Sequence, residues 1–350
     1  MTLFIGKRNQ CFSFDAFVLL VLEYSVFLSF YPKTTVMVVN YWKLKQCFKE
    51  LVLSALMVAV YAASTVIYGW SLFFTLLTAL LPGTKSLLKP KVVAITGAST
   101  GIGEAIAYEY AKQKVRLILI ARNQNKLQTV SSKCRQLGAV DVEIASIDVS
   151  KTEDLINFFE DRTEQSPIDL FIANAGMVVE TTPLIPDNKC ETIVNTNILG
   201  AIAGADTVFR AMHRRRRGGQ IAVVSSIYGF MGVPDVIYYD LTKAALLSYA
   251  RDLRTLGKAS NIHVSVICPG LILTNMTESL NVAEFFYTKP AVIASHIRKG
   301  LEANLPVIGM PWFQFVTAFV LSSLPPMLHS FARDRMLDVY NAIKPSKTYQ

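Results

Sequence analysis

Apolar positions along this chain fall into two regimes. Before residue 85 they form long runs with few charges, whereas from residue 91 they come in short β-rich runs separated by amphipathic stretches of helical period. The short runs at 92–96, 116–121, 142–147, 170–173, 221–225 and 264–268 read as strands buried on both faces, and 307–309 as a short seventh. Strand and helix alternating in this order predict an α/β fold, a doubly wound parallel sheet of about seven strands over 89–290.

The first strand opens onto a glycine turn, TGASTGIG at 96–103, followed by helical periodicity. Gly97, Gly101 and Gly103 let the chain bend sharply and let backbone N–H groups at a helix amino end approach a pyrophosphate. The spacing is G-x-x-x-G-x-G, not the commoner dinucleotide pattern G-x-G-x-x-G, so the strand and helix around it carry the Rossmann-type reading. Arg122 ends the second strand, where a carboxylate would favour NAD and a cation accommodates the 2′-phosphate of NADP. Asp148 ends the third strand, at the expected adenine edge. Asn174, Ala175 and Gly176 end the fourth, where small residues permit close packing beside the nicotinamide ribose.

The amino-terminal part, 1–88, reads as a membrane anchor. Its main segment, 51–81, is uncharged and as a helix would measure about 46 Å at ~1.5 Å per residue, against a hydrocarbon core of roughly 30 Å. The surplus implies tilt, protruding ends, or a re-entrant turn near Ser64 or Gly69. A second apolar run, 12–31, contains Asp15 and Glu23, each costing roughly 2.5–3.5 kcal/mol at mid-bilayer. Its status as a span is open, as is a start at Met37 instead of Met1. Lys43, Lys45 and Lys49 beside Trp42 and Phe48 suit an interfacial segment, and lysines also follow Pro82. The expected location is an internal membrane such as the endoplasmic reticulum, with the catalytic domain cytosolic.

Composition agrees with that division. Hydrophobic residues make up 52% of the 350 and charged residues 17%, a balance shifted towards membrane association. The net charge of +9 carries no zinc-ligand spacing, RNA-binding aromatic signature or long basic helix, so an anionic membrane surface, not nucleic acid, is the expected partner. Five scattered cysteines and four unpartnered histidines predict reduced thiols and no metal site. The arginine run 214–217 reads as a cationic helix carboxyl end, with a lipid-headgroup contact as the alternative.

Tyr239 and Lys243, four apart on a predicted helix, project from one face. A phenol with an ordinary pKa near 10 is a poor match to neutral pH, and a neighbouring ammonium favours its ionised form. Ser226, at a strand end thirteen residues earlier, is placed to donate to a carbonyl or alkoxide oxygen.

These motifs together resemble the short-chain dehydrogenases/reductases over about residues 91–274. The matching segments are TGASTGIG at 96–103, DVS at 148–150, ANAG at 173–176, NTN at 195–197, SS at 225–226, YDLTK at 239–243 and PGLILT at 269–274. The resemblance implies Tyr239 as acid/base, Ser226 as orienter of the substrate oxygen, and Lys243 as a ligand of the nicotinamide ribose. It implies Asn197 as holder of a relay water and Thr274 as a carboxamide contact. Ser99, Thr100 and Ile102 would line the cofactor beside the turn glycines, with Pro269 and Gly270 at its far end. It also implies a homodimer or homotetramer. Two positions depart from the family pattern. Asp240 stands where a small residue is usual, and its i+1 direction predicts little effect on Tyr239. Thr100 replaces a base frequent in NADP-preferring members, leaving Arg122 to select the phosphate.

Beyond Thr274 the chain carries a mobile lid over 280–287, a helix over 291–301, and an apolar stretch at 312–324. That stretch either dips into one leaflet or packs on the protein's own surface or a partner subunit. Residues 291–350 are thus expected to form an apolar helical extension. Asn275-Met276-Thr277 fits the glycosylation pattern but falls in this substrate region, where modification is not expected. The function expected is a membrane-anchored, NADP-dependent oxidoreductase moving hydride between NADPH and an apolar carbonyl or alcohol. The alternative is a catalytically silent nucleotide-binding scaffold or redox sensor. An epimerase or dehydratase of nucleotide sugars fits the glycine spacing and the short substrate region less well.

Overall fold

The computed structural model describes residues 89–179, 189–274, 277 and 287–343, with helical positions at 48–50, 54, 57, 61, 65 and 69. Two compact units divide the chain, Met1–Gly83 and Thr84–Gln350. In the first, the described positions are helical and exposed. Segment 12–31, Met37 and most of 51–81 lie outside the described residues. Among the described residues no helix is long and apolar enough to cross a membrane.

The second unit carries seven parallel strands: β1 Val92–Thr96, β2 Arg116–Ala121, β3 Asp141–Ser146, β4 Leu170–Ala173, β5 Gly219–Val224, β6 Ile262–Pro269 and β7 Val307–Met310. Their order is β3-β2-β1-β4-β5-β6-β7, so the winding reverses between β1 and β4. Strand sequences explain the sheet. In β2, Leu117 and Leu119 enter one hydrophobic core while Ile118 and Ile120 enter the other, and all four are fully buried. Each such side chain contributes about 1.5–3 kcal/mol relative to exposure, which is why a strand covered on both faces is continuously apolar.

The helices are α1 Gly101–Ala111, α2 Gln124–Gln136, α3 Thr152–Gln165, α4 Lys189–Val194, α5 Gly200–Arg215, α6 Ile237–Gly257, α7 Pro290–Glu302, α8 Trp312–Ser322 and α9 Pro326–Ile343. Between α4 and α5 the chain makes a π-helical turn, Asn195–Leu199, where sequence periodicity predicts an ordinary helix. At the carboxyl end of α5, Arg216 takes a left-handed cap (φ 54°), and Arg215 donates to the Ile168 and Gly218 carbonyls. This part of the arginine run is therefore structural.

The segment assigned from sequence to an extension beginning at 291 is partly core. Helix α7 buries Ile293, Ala294, Ile297 and Leu301, and β7 pairs with β6, because both supply apolar cover that the sheet edge lacks. Helix α8 also packs on the domain. Its Phe315 ring lies against Gly309, meets Phe230 edge-on at 5.8 Å, and Ala318 is fully buried. The outer positions Trp312, Phe313 and Val316 are exposed.

Candidate active site

A crevice of about 460 Å³ opens at the carboxyl ends of the strands, across the reversal between β1 and β4. The glycine turn forms its floor. Gly97 and Gly101 hold φ of 67° and 62°, and Gly97, Ser99, Thr100, Gly101 and Ile102 all line the crevice. Gly103 sits below, where a Cβ would stand 2.3 Å from the Gly97 carbonyl oxygen.

The turn is locked from β4. Thr96 Oγ1 accepts the backbone N–H groups of Asn174 and Ala175, each at 3.1 Å, and Asn174 Nδ2 donates to the Thr96 and Gly97 carbonyls at 2.9 and 3.2 Å. Asn174, Ala175 and Gly176 do line the crevice. The Asn174 amide nevertheless acts mainly as a clasp that fixes the loop against the neighbouring strand.

At one end of the crevice stand Arg122 and Asp148, paired at 3.8 Å, with Arg122 75% exposed. Burial opposes ionisation of Asp148, but the Ser150 hydroxyl and amide outweigh it. Aided by Arg122 and Lys151, they hold the carboxyl below its usual range. Lys126 and Asn123 line the same end, and neither was read from sequence as a site residue. Asn123 caps α2, accepting the Lys126 N–H at 2.9 Å, a signal legible in an Asn immediately ahead of a helical repeat.

At the other end are Ser226, Tyr239 and Lys243. Ser226 follows β5 and caps a short 3₁₀ turn by accepting the Tyr228 N–H at 3.2 Å. Its hydroxyl donates to the Pro269 carbonyl at 3.3 Å and lies close enough to the Tyr239 phenol to favour its ionised form. Helix α6 presents Tyr239 and Lys243 one turn apart, with Lys243 Nζ 5.4 Å from the centre of the Tyr239 ring and donating to the Val224 carbonyl at 2.9 Å. Ser225 Oγ returns a bond to the Lys243 carbonyl at 2.7 Å, so β5 and α6 are stitched together at the site.

Burial pushes the Tyr239 phenol up to about 12; the nearby Ser226 hydroxyl lowers it and the Asp240 carboxylate adds to the rise. Burial also brings the Lys243 ammonium down to about 8. The sequence argument that lysine lowers the phenol is therefore not the dominant effect between these side chains. Asp240 is itself buried, and burial pushes its carboxyl up to about 7.

Asn197, in the π turn, is fully buried and points beneath the crevice. Its Oδ1 accepts the Met177 N–H at 2.8 Å, and its Nδ2 donates to the Met177 carbonyl and to Thr242 Oγ1. Thr196, which sequence reasoning passed over, lines the crevice from that turn. Gly176 bridges the two groups: a Cβ there would stand 3.3 Å from Asn197 Oδ1 and 3.5 Å from Lys243 Nζ.

Pro269, Gly270 and Thr274 line the wall opposite. Thr277 fastens this wall by donating to the Ile272 carbonyl and accepting the Thr274 N–H. Helix α8 reaches the same segment, since Gln314 Oε1 accepts the Leu271 N–H at 2.9 Å. Asn275, which fits the glycosylation pattern, and all of the expected lid 280–287 except Tyr287 lie outside the described residues.

Comparison with known proteins matches this arrangement. The family model described as short chain dehydrogenase covers residues 91–284. The Arabidopsis thaliana protein named 11-beta-hydroxysteroid dehydrogenase-like 2 is 35% identical over 287 residues, spanning 78% of this chain and 90% of that protein. A Pinus massoniana 11-beta-hydroxysteroid dehydrogenase is 35% identical over 204 residues, 56% of this chain and 55% of its own length. Among solved structures, L-sorbose reductase from Gluconobacter frateurii, complexed with NADPH and L-sorbose, superposes with a TM-score of 0.57 at 26% identity. It covers 64% of this chain and 95% of its own.

Proposed function

This chain belongs to the short-chain dehydrogenase family and is an oxidoreductase acting on CH–OH groups; from that premise we propose that it reduces the carbonyl of an apolar substrate with NADPH. The observation that carries the reading is the convergence of the Ser226 hydroxyl, the Tyr239 phenol and the Lys243 ammonium at one end of a crevice floored by the glycine turn.

The residues present fit a nicotinamide dinucleotide. The turn lines the crevice through Gly97, Ser99, Thr100, Gly101 and Ile102, and a Cβ at Gly103 would displace it by meeting the Gly97 carbonyl. Arg122 and Lys126 offer cations where a 2′-phosphate would be held, and the Gly176 and Lys243 side supports the ribose. When bound, the cofactor supplies or accepts the hydride. Ser226 donates to the substrate oxygen and orients it, and Tyr239 gives that oxygen its proton. Lys243 places positive charge beside the ring and so acts against the burial that holds the phenol up at about 12.

The apolar substrate class is supported by the steroid dehydrogenase names of the relatives and by the apolar face that α8 leaves exposed near the site. Membrane anchoring through 51–81, with a cytosolic catalytic domain, remains part of the proposal and rests on that segment's uncharged length. Purified protein incubated with NADPH and a panel of ketosteroids and long-chain ketones tests the reading. We expect consumption of NADPH with at least one ketone and its loss by more than a hundredfold in Tyr239→Phe. Cofactor binding without turnover, unchanged by that substitution, would support the scaffold alternative.

A further inference from the structure

The hydroxyls of Ser226 and Tyr239 act together only if the chain joining them holds a fixed shape. That connection makes two short 3₁₀ turns, Ile227–Gly229 and Pro234–Val236, before α6 begins. Tyr228 meets Tyr239 edge-on at 6.2 Å, and the Val236 N–H donates to the Val233 carbonyl. A side-chain bond closes the segment onto α6: Asp240 Oδ2 accepts the Val233 N–H. The residue that provides it adjoins the tyrosine, is 8% exposed, and leaves its second oxygen, Oδ1, buried with no hydrogen-bond partner.

A buried carboxylate with an orphan oxygen is costly, so its presence calls for a reason. We propose that Asp240 is a positioning residue, fastening the 227–236 connection to the first turn of α6 through the Val233 amide and so setting Ser226 and Tyr239 in register. The inference rests on the reading of those two hydroxyls as the proton-donating pair.

Two substitutions separate the hydrogen bond from the charge. Asp240→Asn keeps an oxygen that accepts the Val233 N–H and removes the charge, whereas Asp240→Ala removes both. Ketone reduction by the full chain is followed for both variants, with thermal melting as a check on folding. We expect Asp240→Ala to lose about tenfold in kcat/KM at the optimum, the effect of one charge-assisted bond, and Asp240→Asn to stay within about threefold of the parent. Equal kcat/KM in the alanine variant and the parent would overturn the positioning role, as would equal loss in both variants. Tyr239→Phe in the same assay keeps the underlying reading separate, because retained turnover there would sink that reading whatever Asp240 does.

Discussion

Removing the guanidinium of Arg122 tests the cofactor assignment directly. The side chain is 75% exposed and its partner Asp148 is 3.8 Å away, so the pair contributes at most about 1 kcal/mol to the fold and Arg122→Ala should melt like the parent. Against a 2′-phosphate the same guanidinium would make charge-assisted bonds. Their loss costs about 1.5–3 kcal/mol, or about 10- to 150-fold in Kd. Ser150 and Lys151 continue to favour the ionised form of Asp148, so the variant leaves a carboxylate facing the phosphate and adds repulsion. NADH, without that phosphate, should change by about twofold or less. Cofactor fluorescence titrations with NADPH and NADH measure both constants. Raising salt should narrow the NADPH difference, because the interaction is exposed. Lys126 lines the same wall, so Arg122→Ala with Lys126→Ala should weaken NADPH further. Similar losses for NADPH and NADH, or no loss for either, would refute the assignment of Arg122 to the 2′-phosphate.

Gly103→Ala should lower stability by about 1–3 kcal/mol in chemical denaturation and weaken cofactor binding by more than tenfold, since its Cβ would meet the Gly97 carbonyl at 2.3 Å and Asn174 Nδ2 at 2.5 Å. Unchanged binding would show that the turn is not the cofactor's floor. Asp240→Asn should alter the pH dependence of stability. Folding raises the carboxyl from its ordinary 3.8 to about 7, so the stability this group contributes is fully present below the lower value. It is lost as pH rises through the upper one. The substitution should therefore raise the melting temperature more at pH 8 than at pH 5, by the equivalent of about 2–4 kcal/mol. A difference independent of pH would count against the burial of that charge.

The interior strands were legible because they are apolar on both faces, which edge strand β3 is not, and the structure moved the ends of all seven by only one or two residues. Helix α6 was legible through the four-residue step from Tyr239 to Lys243. What spacing does not encode is burial, which decides the protonation of both side chains more than their proximity does. The helical angle argument for Asp240 was similarly incomplete: its carboxylate adds to the rise of the phenol, and it is enclosed and tied to Val233. The π turn at 195–199 was not legible either, because one inserted residue leaves the local pattern helical while redirecting Asn197 onto Met177. Lys126 could have been found, since the cap at Asn123 places it on the first turn of α2.

The bond from Gln314 to the Leu271 amide ties the far carboxyl-terminal helix to a wall of the crevice. With Phe315 resting on Gly309, that tail is a buttress, and shortening the gene after β7 would leave a sheet edge uncovered and a backbone donor without its acceptor. Trimmed versions made for crystallisation or for solubility should be cut beyond α8, because a shorter product would differ from the parent in the shape of its reaction chamber as well as in its surface.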